Sequence, residues 1–255
     1  MLAVGGVVLW HAGALSAQAP SEASTVLPTD ARPVAPASHT LRTPGWAPPV
    51  SVQWTYEVRA STKGLPYRAQ ATLSWRRDGR TYDARLEFKA FLIGSRVQHS
   101  QGTLGPQGLV PQTFTDRARK ERQLVFDWGA ARLISPGTPE SSTALPPGTQ
   151  DRLSLFLQLA HTLGAAGDAP TPGRQWVVPV ASPGEVAPWT FRFEGRETLE
   201  LPAGTWSTWK LQRSPRHAGD QRVELWFAPD LHLLPVRMRI SQDNGDTIDQ
   251  RLSAR

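Results

Sequence analysis

The chain has 255 residues, carries a formal charge of +6, is 39% hydrophobic, and holds ten tryptophans but no cysteine. Without cysteine it has no disulfide, no thiolate nucleophile or metal ligand, and no thiol for lipid attachment, so a packed core alone must stabilise it. The excess charge lies beyond residue 50, because Arg32 and Arg42 cancel Glu22 and Asp30 before it.

Met1 to Trp10 is apolar, and small residues follow it down to Ala17-Gln18-Ala19. That is the pattern of a secretory h-region and an Ala-x-Ala cleavage site, so a signal peptide is expected over 1–19 and export to the periplasm with it. Two features run against this reading: no Lys or Arg precedes the apolar run, and Pro20 would follow the cut. The alternative is a cytoplasmic protein with an apolar N-terminus. From 20 to 49, seven prolines (Pro20, Pro28, Pro33, Pro36, Pro44, Pro48 and Pro49) stand among Ala, Ser and Thr without periodicity. Such a segment buries too little apolar surface to offset its ordering entropy, so a disordered linker is expected there. Residues 50–255 are then expected to form one domain. No stretch reaches 18 consecutive apolar residues, so no transmembrane segment is expected.

Beyond residue 50, one-sided alternation recurs. Tyr82, Ala84, Leu86, Phe88 and Ala90 interleave with Asp83, Arg85, Glu87 and Lys89. A period of two gives each strand one dry and one wet face, the mark of an antiparallel sheet exposed on one side. Strands are predicted over 51–60, 68–77, 80–90, 92–103, 109–115, 120–127 and 130–134. They resume over 174–180, 188–194, 196–201, 205–213, 222–228, 234–241 and 246–253. Asp78-Gly79 and Asn244-Gly245 mark hairpin turns. So many strands in one layer must curl to cover their apolar face.

Between the two runs of strands a helix is predicted over about 150–164, with Thr149 as N-cap, Asp151 in the first turn and Gly164 as the stop. Leu153, Leu155, Phe156, Leu157, Leu159, Ala160 and Leu163 make it apolar nearly all round, so it wants burial. The expected fold is therefore mainly β: a strongly curved antiparallel sheet, an incomplete barrel, wrapped around one hydrophobic helix. Leu153, Phe156, Leu157 and Ala160 are the candidates for a plug or for the lining of an apolar cavity. Thr149, Asp151 and Ser154 are candidates for fixing the helix entrance.

Catalytic and metal signatures are missing from the sequence. Asp78 and Asp243 belong to turns, and Glu87 and Glu224 to wet strand faces, so no pair of acids is set to face a cleft. The six histidines are scattered without ligand spacing, His161 included. No Gly-x-Ser-x-Gly elbow occurs, and Gly102, Gly105 and Gly108 lack the Lys-Ser/Thr of a phosphate loop. No catalytic residue, metal or cofactor is expected. The basic cluster Arg117 to Arg122 is broken by Glu121 and lacks stacking aromatics, which argues against nucleic acid and for a solvated face; attraction to anionic membrane is the rival reading. An interior lined by Leu, Phe and Trp suits an acyl chain. Trp206 and Trp209 lie three apart and cannot share a strand face, so one of them is expected at the surface as a contact for lipid or protein.

Several ordered segments carry a family likeness. They are Gly108-Leu109-Val110-Pro111 with Phe114, Leu124-Val125-Phe126-Asp127, Leu145-Pro-Pro-Gly-Thr-Gln150-Asp151-Arg-Leu-Ser154 and Leu201-Pro-Ala-Gly204-Thr-Trp206 with Lys210-Leu211. Leu225-Trp226-Phe227-Ala228-Pro229-Asp230, Leu234-Pro235-Val236-Arg237, and Gly245 leading to Asp249-Gln250 complete the set. Together they span about 51–253, and the chain resembles family 3108 of the domains of unknown function. The resemblance implies a fold similar to the bacterial lipoprotein carriers, a half-open antiparallel barrel around a helical plug, whose cavity shelters acyl chains in the periplasm. It implies that Gly148, Asp151 and Ser154 fix the helix entrance and that Gly204 and Pro235 set a turn and a strand start. It brings no catalytic residue. The long proline-rich lead departs from the family pattern. Three functions follow as expectations: a periplasmic carrier of a lipid or acyl-chain ligand, an envelope structural or assembly factor with a protein partner, or a concealed hydrolase.

Overall fold

The computed structural model describes residues 48–90, 94–138 and 141–255. The leader expected over 1–19, and all but the last two residues of the linker expected over 20–49, lie outside the described residues. Among the described residues the fold has fourteen strands, one α-helix and a short 3-10 turn at Pro229–Leu231. The first eight strands are β1 (Ser51–Thr62), β2 (Leu65–Asp78), β3 (Thr81–Ala90), β4 (Gly94–Gly105), β5 (Gly108–Arg117), β6 (Glu121–Asp127), β7 (Arg132–Ile134) and β8 (Ser142–Ala144). Helix α1 (Ser154–Ala165) follows, then β9 (Gln175–Ser182), β10 (Glu185–Leu201), β11 (Gly204–Arg213), β12 (Arg222–Ala228), β13 (Leu234–Ser241) and β14 (Thr247–Ala254).

All strands join one antiparallel sheet in the order β8-β7-β6-β5-β4-β3-β2-β1-β14-β13-β12-β11-β10-β9. Strands that pair are neighbours in sequence, except where β1 meets β14. That pairing makes the sheet a continuous meander whose two ends, β8 and β9, are the middle of the chain. A sheet this wide curls, and the segment that enters α1 bridges its edges. The Gln150 N–H donates to Pro179 O at 2.9 Å, and the Ala181 N–H donates to Gln150 O at 2.8 Å. The Gln150 side chain reaches the other way and donates to Leu109 O of β5 at 2.9 Å. The barrel stays incomplete, and one residue spans the gap.

The alternation seen in the sequence orients the strands as expected. Trp54, Tyr56 and Val58 of β1 face inward beside Ala71, Leu73 and Trp75 of β2 and Ala84 and Leu86 of β3, all buried. Helix α1 fills the space they enclose, with Leu155, Phe156, Leu157, Leu159, Ala160 and Leu163 buried. At roughly 25 cal/mol per Å2, burying these side chains is worth on the order of ten kcal/mol before ordering entropy is set against it. Gln158 docks the helix on the β4–β5 turn: its Oε1 accepts the Leu109 N–H at 2.7 Å and its Nε2 donates to Gln107 O at 3.0 Å. A side chain at Gly108 would strike that amide, with Oε1 only 2.2 Å from a Cβ. This contact and the φ of 111° at Gly108, not a phosphate, explain the glycine.

Local expectations differ from the structure at four places. The predicted strands 188–194 and 196–201 are one strand, β10, carrying a bulge between Phe193 and Gly195 where Gly195 takes φ 131°. A bulge bends a strand without ending it, so a break in alternation is not a break in pairing. Strand β8 is too short for a periodicity to show. The helix begins at Ser154 and not at 150, so Thr149 is not its N-cap; the Thr149 hydroxyl donates to Pro146 O at 2.6 Å instead. Gly164 lies inside the helix, and the left-handed residue beyond its end is Gly167, with φ 75°.

Candidate functional site

The helix entrance is a buried polar knot. Leu153, in the N-cap position, offers no capping side chain. Asp151 supplies the cap from two residues earlier: its Oδ1 accepts the Leu153 and Ser154 N–H groups at 2.8 Å each. Ser154 reciprocates, its Oγ accepting the Asp151 N–H at 3.0 Å, so the pair acts as a capping box. The other carboxylate oxygen of Asp151 accepts the Ser100 hydroxyl at 2.6 Å, and Ser100 lies 3.0 Å from the Tyr82 hydroxyl. Tyr82 stacks on Trp75 with ring centroids 5.5 Å apart. Asp151, Ser154 and Ser100 are completely buried. Burial raises the Asp151 carboxyl above its usual range, against the hydrogen bonds that pull it down. Burial, and then the Asp151 charge, push the Tyr82 phenol up. Buried and bonded to one another, these groups fasten the start of α1 to β4.

An apolar groove opens beside the helix. Val58, Ala69, Leu86 and Phe88 line it from β1–β3, Met238, Ile240 and Ile248 line it from β13–β14, and Phe156 of α1 stands within it. Its free volume is about 60 Å3. A second void of about 20 Å3 lies beyond, bounded by Tyr56, Leu73, Leu153 and Leu157. Leu86, Phe156, Met238 and Gln250 line both, so Phe156 stands where the groove meets the inner void. A larger hollow of about 590 Å3, lined by residues such as Pro49, Trp54, His232 and Arg255, lies open to solvent at the β1–β14 end. The groove beside α1 and its inner void are apolar and recessed, unlike the open hollow.

Polar groups also line the groove. Arg96 is 9% exposed and binds the Asp116 carboxylate with two donors, Nε at 2.7 Å and Nη2 closer still. Gln98 and Gln250 are 4% and 3% exposed. Gln98 Nε2 reaches Asp116 Oδ2 only at 3.5 Å, and Gln250 Nε2 makes a weak bond to Met238 Sδ at 3.6 Å. Nearby, Trp189 has the Arg213 guanidinium 4.2 Å and the Arg152 guanidinium 5.7 Å from its ring centroid. Burial, then the neighbouring Arg96 charge, lowers Arg152 to about 10.

The sequence candidates distribute unevenly over this geometry. Leu153, Phe156 and Leu157 meet at the groove and its inner void; Ala160 lines neither and packs in the cluster formed with β9–β13, to which Phe156 also belongs. Asp151 and Ser154 sit together in the entrance knot, while Thr149 is buried just outside it. Trp209 is buried and meets Phe193 edge-on at 6.4 Å. Trp206 is half-buried, with the Arg255 guanidinium 4.9 Å from its ring centroid. The two therefore form no exposed aromatic patch. Gln98, Gln250, Ser100 and Tyr82 were not singled out by sequence reasoning. The available signal was a polar residue at an inward strand position: Gln250 falls between Ile248 and Leu252, and Gln98 and Ser100 share one face of β4.

Among the described residues no group of His, Asp and Glu is placed to hold a metal, and no helix is long and apolar enough to cross a membrane. The fold is similar to that of a β-barrel-like protein of the domain of unknown function DUF1849 from Brucella abortus. The two are 12% identical, with 81% of this chain and 97% of that one covered and a TM-score of 0.51. A protein with a YmcC-like fold from Bacteroides fragilis aligns at 11% identity over 82% of this chain and 98% of its own, with a TM-score of 0.34. No curated protein matches the sequence. The match that spans the sheet and the helix is to a family, and on it the chain belongs to the DUF3108 proteins of unknown function, whose profile covers residues 51–253.

Proposed function

We propose that this protein is a non-catalytic, exported carrier that shelters an apolar or lipidic ligand in the periplasm, in the groove beside α1. The observation that carries the reading is the groove itself: apolar walls from both halves of the sheet, with Phe156 of the central helix between groove and inner void. Ligand sites usually enclose roughly 300–1,000 Å3, far more than the groove offers as it stands. An acyl chain therefore enters by displacing Phe156 toward the inner void, and the flexible Met238 beside it yields readily. A hydrolase has less support, because Ser100 and Asp151 are sealed from solvent. An envelope assembly factor acting through Trp206 and Trp209 also has less support, since one is buried and the other shielded.

Native mass spectrometry of protein purified from the envelope of a Gram-negative host, with organic extraction of any added mass, tests the reading. A stoichiometric lipid supports it. A clean apo mass that persists after incubation with phospholipid vesicles overturns it and favours the assembly-factor role.

A further inference from the structure

We infer that the groove takes an uncharged amphiphile, which buries an ester, amide or hydroxyl group against Gln98 and Gln250 while its hydrocarbon lies along Phe156. The inference rests on the groove reading above and names the ligand class. Gln250 lies across from Val58 on one side and Met238 on the other, all three within the lining. Gln98 lies across from Leu86 of β3, another lining residue. Both amides are more than nine-tenths buried, yet their only hydrogen bonds are the long contact to Asp116 and the weak contact to sulfur. No hydrogen bond reaches either amide oxygen among the described residues, and neither oxygen is among the fully buried unpartnered atoms, so each still reaches the open groove.

Amides that keep one long or weak bond each in a recessed groove are poorly satisfied, whereas structural ones are almost always well bonded. Two of them facing one apolar groove are explained if a ligand completes their bonding. They can both donate and accept, which matches an ester, amide or hydroxyl group. Charge excludes the other common amphiphiles. Among the described lining residues Arg96 alone is charged, and Asp116 already neutralises it. A carboxylate drawn into this groove would lose its hydration with no uncommitted cation to meet it.

The test uses the full chain and three probes: the apolar dye diphenylhexatriene, 1-monooleoylglycerol, and oleate at pH 8 or above, where it is ionised. The dye reports whether the groove binds at all. Monooleoylglycerol is expected to displace it at least about tenfold more effectively than oleate does, because the hydrocarbon is the same and only the polar end differs. Gln250→Leu and Gln98→Leu are each expected to weaken that displacement by about fivefold, while the dye, which has no polar end, binds at least as tightly to the more apolar groove. Each variant should unfold at the same or a higher temperature than the wild type, since it removes a poorly satisfied amide. Oleate competing as well as the glyceride, or a preference that survives both substitutions, would overturn the inference and leave the groove reading standing. A dye that fails to bind would overturn both.

Discussion

The helix entrance and the groove adjoin on one face of β4, through Ser100 and Gln98, and they treat buried polar groups in opposite ways. At the entrance, both Asp151 oxygens, the Ser154 hydroxyl and the Ser100 hydroxyl have partners at 2.6–3.0 Å. In the groove, Gln98 and Gln250 are as well buried and almost unbonded. The first arrangement fits a fixed part and the second an unfinished one. The entrance has a single loose end, the Gln150 amide oxygen, buried without a partner.

Asp151→Ala is the largest break in this comparison. It strands two backbone N–H groups and the Ser100 hydroxyl in a site without water. Each lost partner costs roughly 1–3 kcal/mol, so a total of about 4 kcal/mol is expected, read as the shift in the urea unfolding free energy. A loss below about 1 kcal/mol would show that the knot is not what fastens α1. Phe156→Ala comes next, at about 3 kcal/mol, the lower part of the usual range because the groove side is already loosely packed. Unlike the first variant, it should bind diphenylhexatriene more tightly, since it joins groove and inner void. Weaker dye binding in a folded Phe156→Ala protein would remove Phe156 from the site.

Acid sharpens the contrast between two kinds of buried carboxylate. The folded-state pKa of Asp151 is raised by burial above its usual 3.8. The native state then keeps a proton that the unfolded chain releases. Its stabilising contribution is complete below 3.8 and is lost as pH rises through the raised value. For Asp220, burial raises the pKa, but the bond from Arg213 and the Arg216 and Gln221 N–H groups outweigh it and hold the carboxyl below the usual range. Its contribution is present above 3.8 and is lost as pH falls through the lowered value. The stability gap between wild type and Asp151→Asn should therefore widen on acidification from neutral pH toward 3.8. The gap between wild type and Asp220→Asn should close below it. Urea unfolding at a series of pH values reads both, and parallel curves would contradict the assignment.

Much of the fold was legible because the strands are wet on one face. Tyr82, Ala84 and Leu86 alternate so cleanly with Asp83, Arg85 and Glu87 that the inward face of β3 follows from sequence alone. Legibility failed where one residue served two purposes. Gly195 interrupts the alternation of β10 and so resembles a turn, although it only inserts a bulge. The outward Trp226 breaks the wet face of β12, yet it is 3% exposed. Lys210 and Arg237 stand 4.8 and 4.7 Å from its ring centroid, and its Nε1 donates to Glu197 at 2.8 Å. No local pattern reveals that a neighbouring hairpin supplies that glutamate. The groove was legible as apolar helix residues, and its two glutamines were visible only as polar letters at inward positions. Their meaning depends on which partners they lack, and that is a property of the packed structure.

The smallest effect separates the two residues that local sequence rules rank alike at the helix start. Thr149 and Ser154 both stand near the beginning of α1, and by composition either could cap it. Thr149 holds only a turn, through its bond to Pro146 O, and it touches neither Asp151 oxygen in the bonding described above. Thr149→Val keeps the shape and should cost less than about 1 kcal/mol. Ser154→Ala removes the reciprocal half of the capping box and should cost about 1–2 kcal/mol, the upper part of the capping range, because no water can replace the hydroxyl. The order of the two matters more than either value. If Thr149→Val were the costlier, the chain would be fastened at the 146–149 turn. α1 would then be free to pivot about Asp151, and the knot would be a hinge. With Ser154→Ala the costlier, the helix start is fixed, and any ligand must make its room by moving Phe156 rather than the helix.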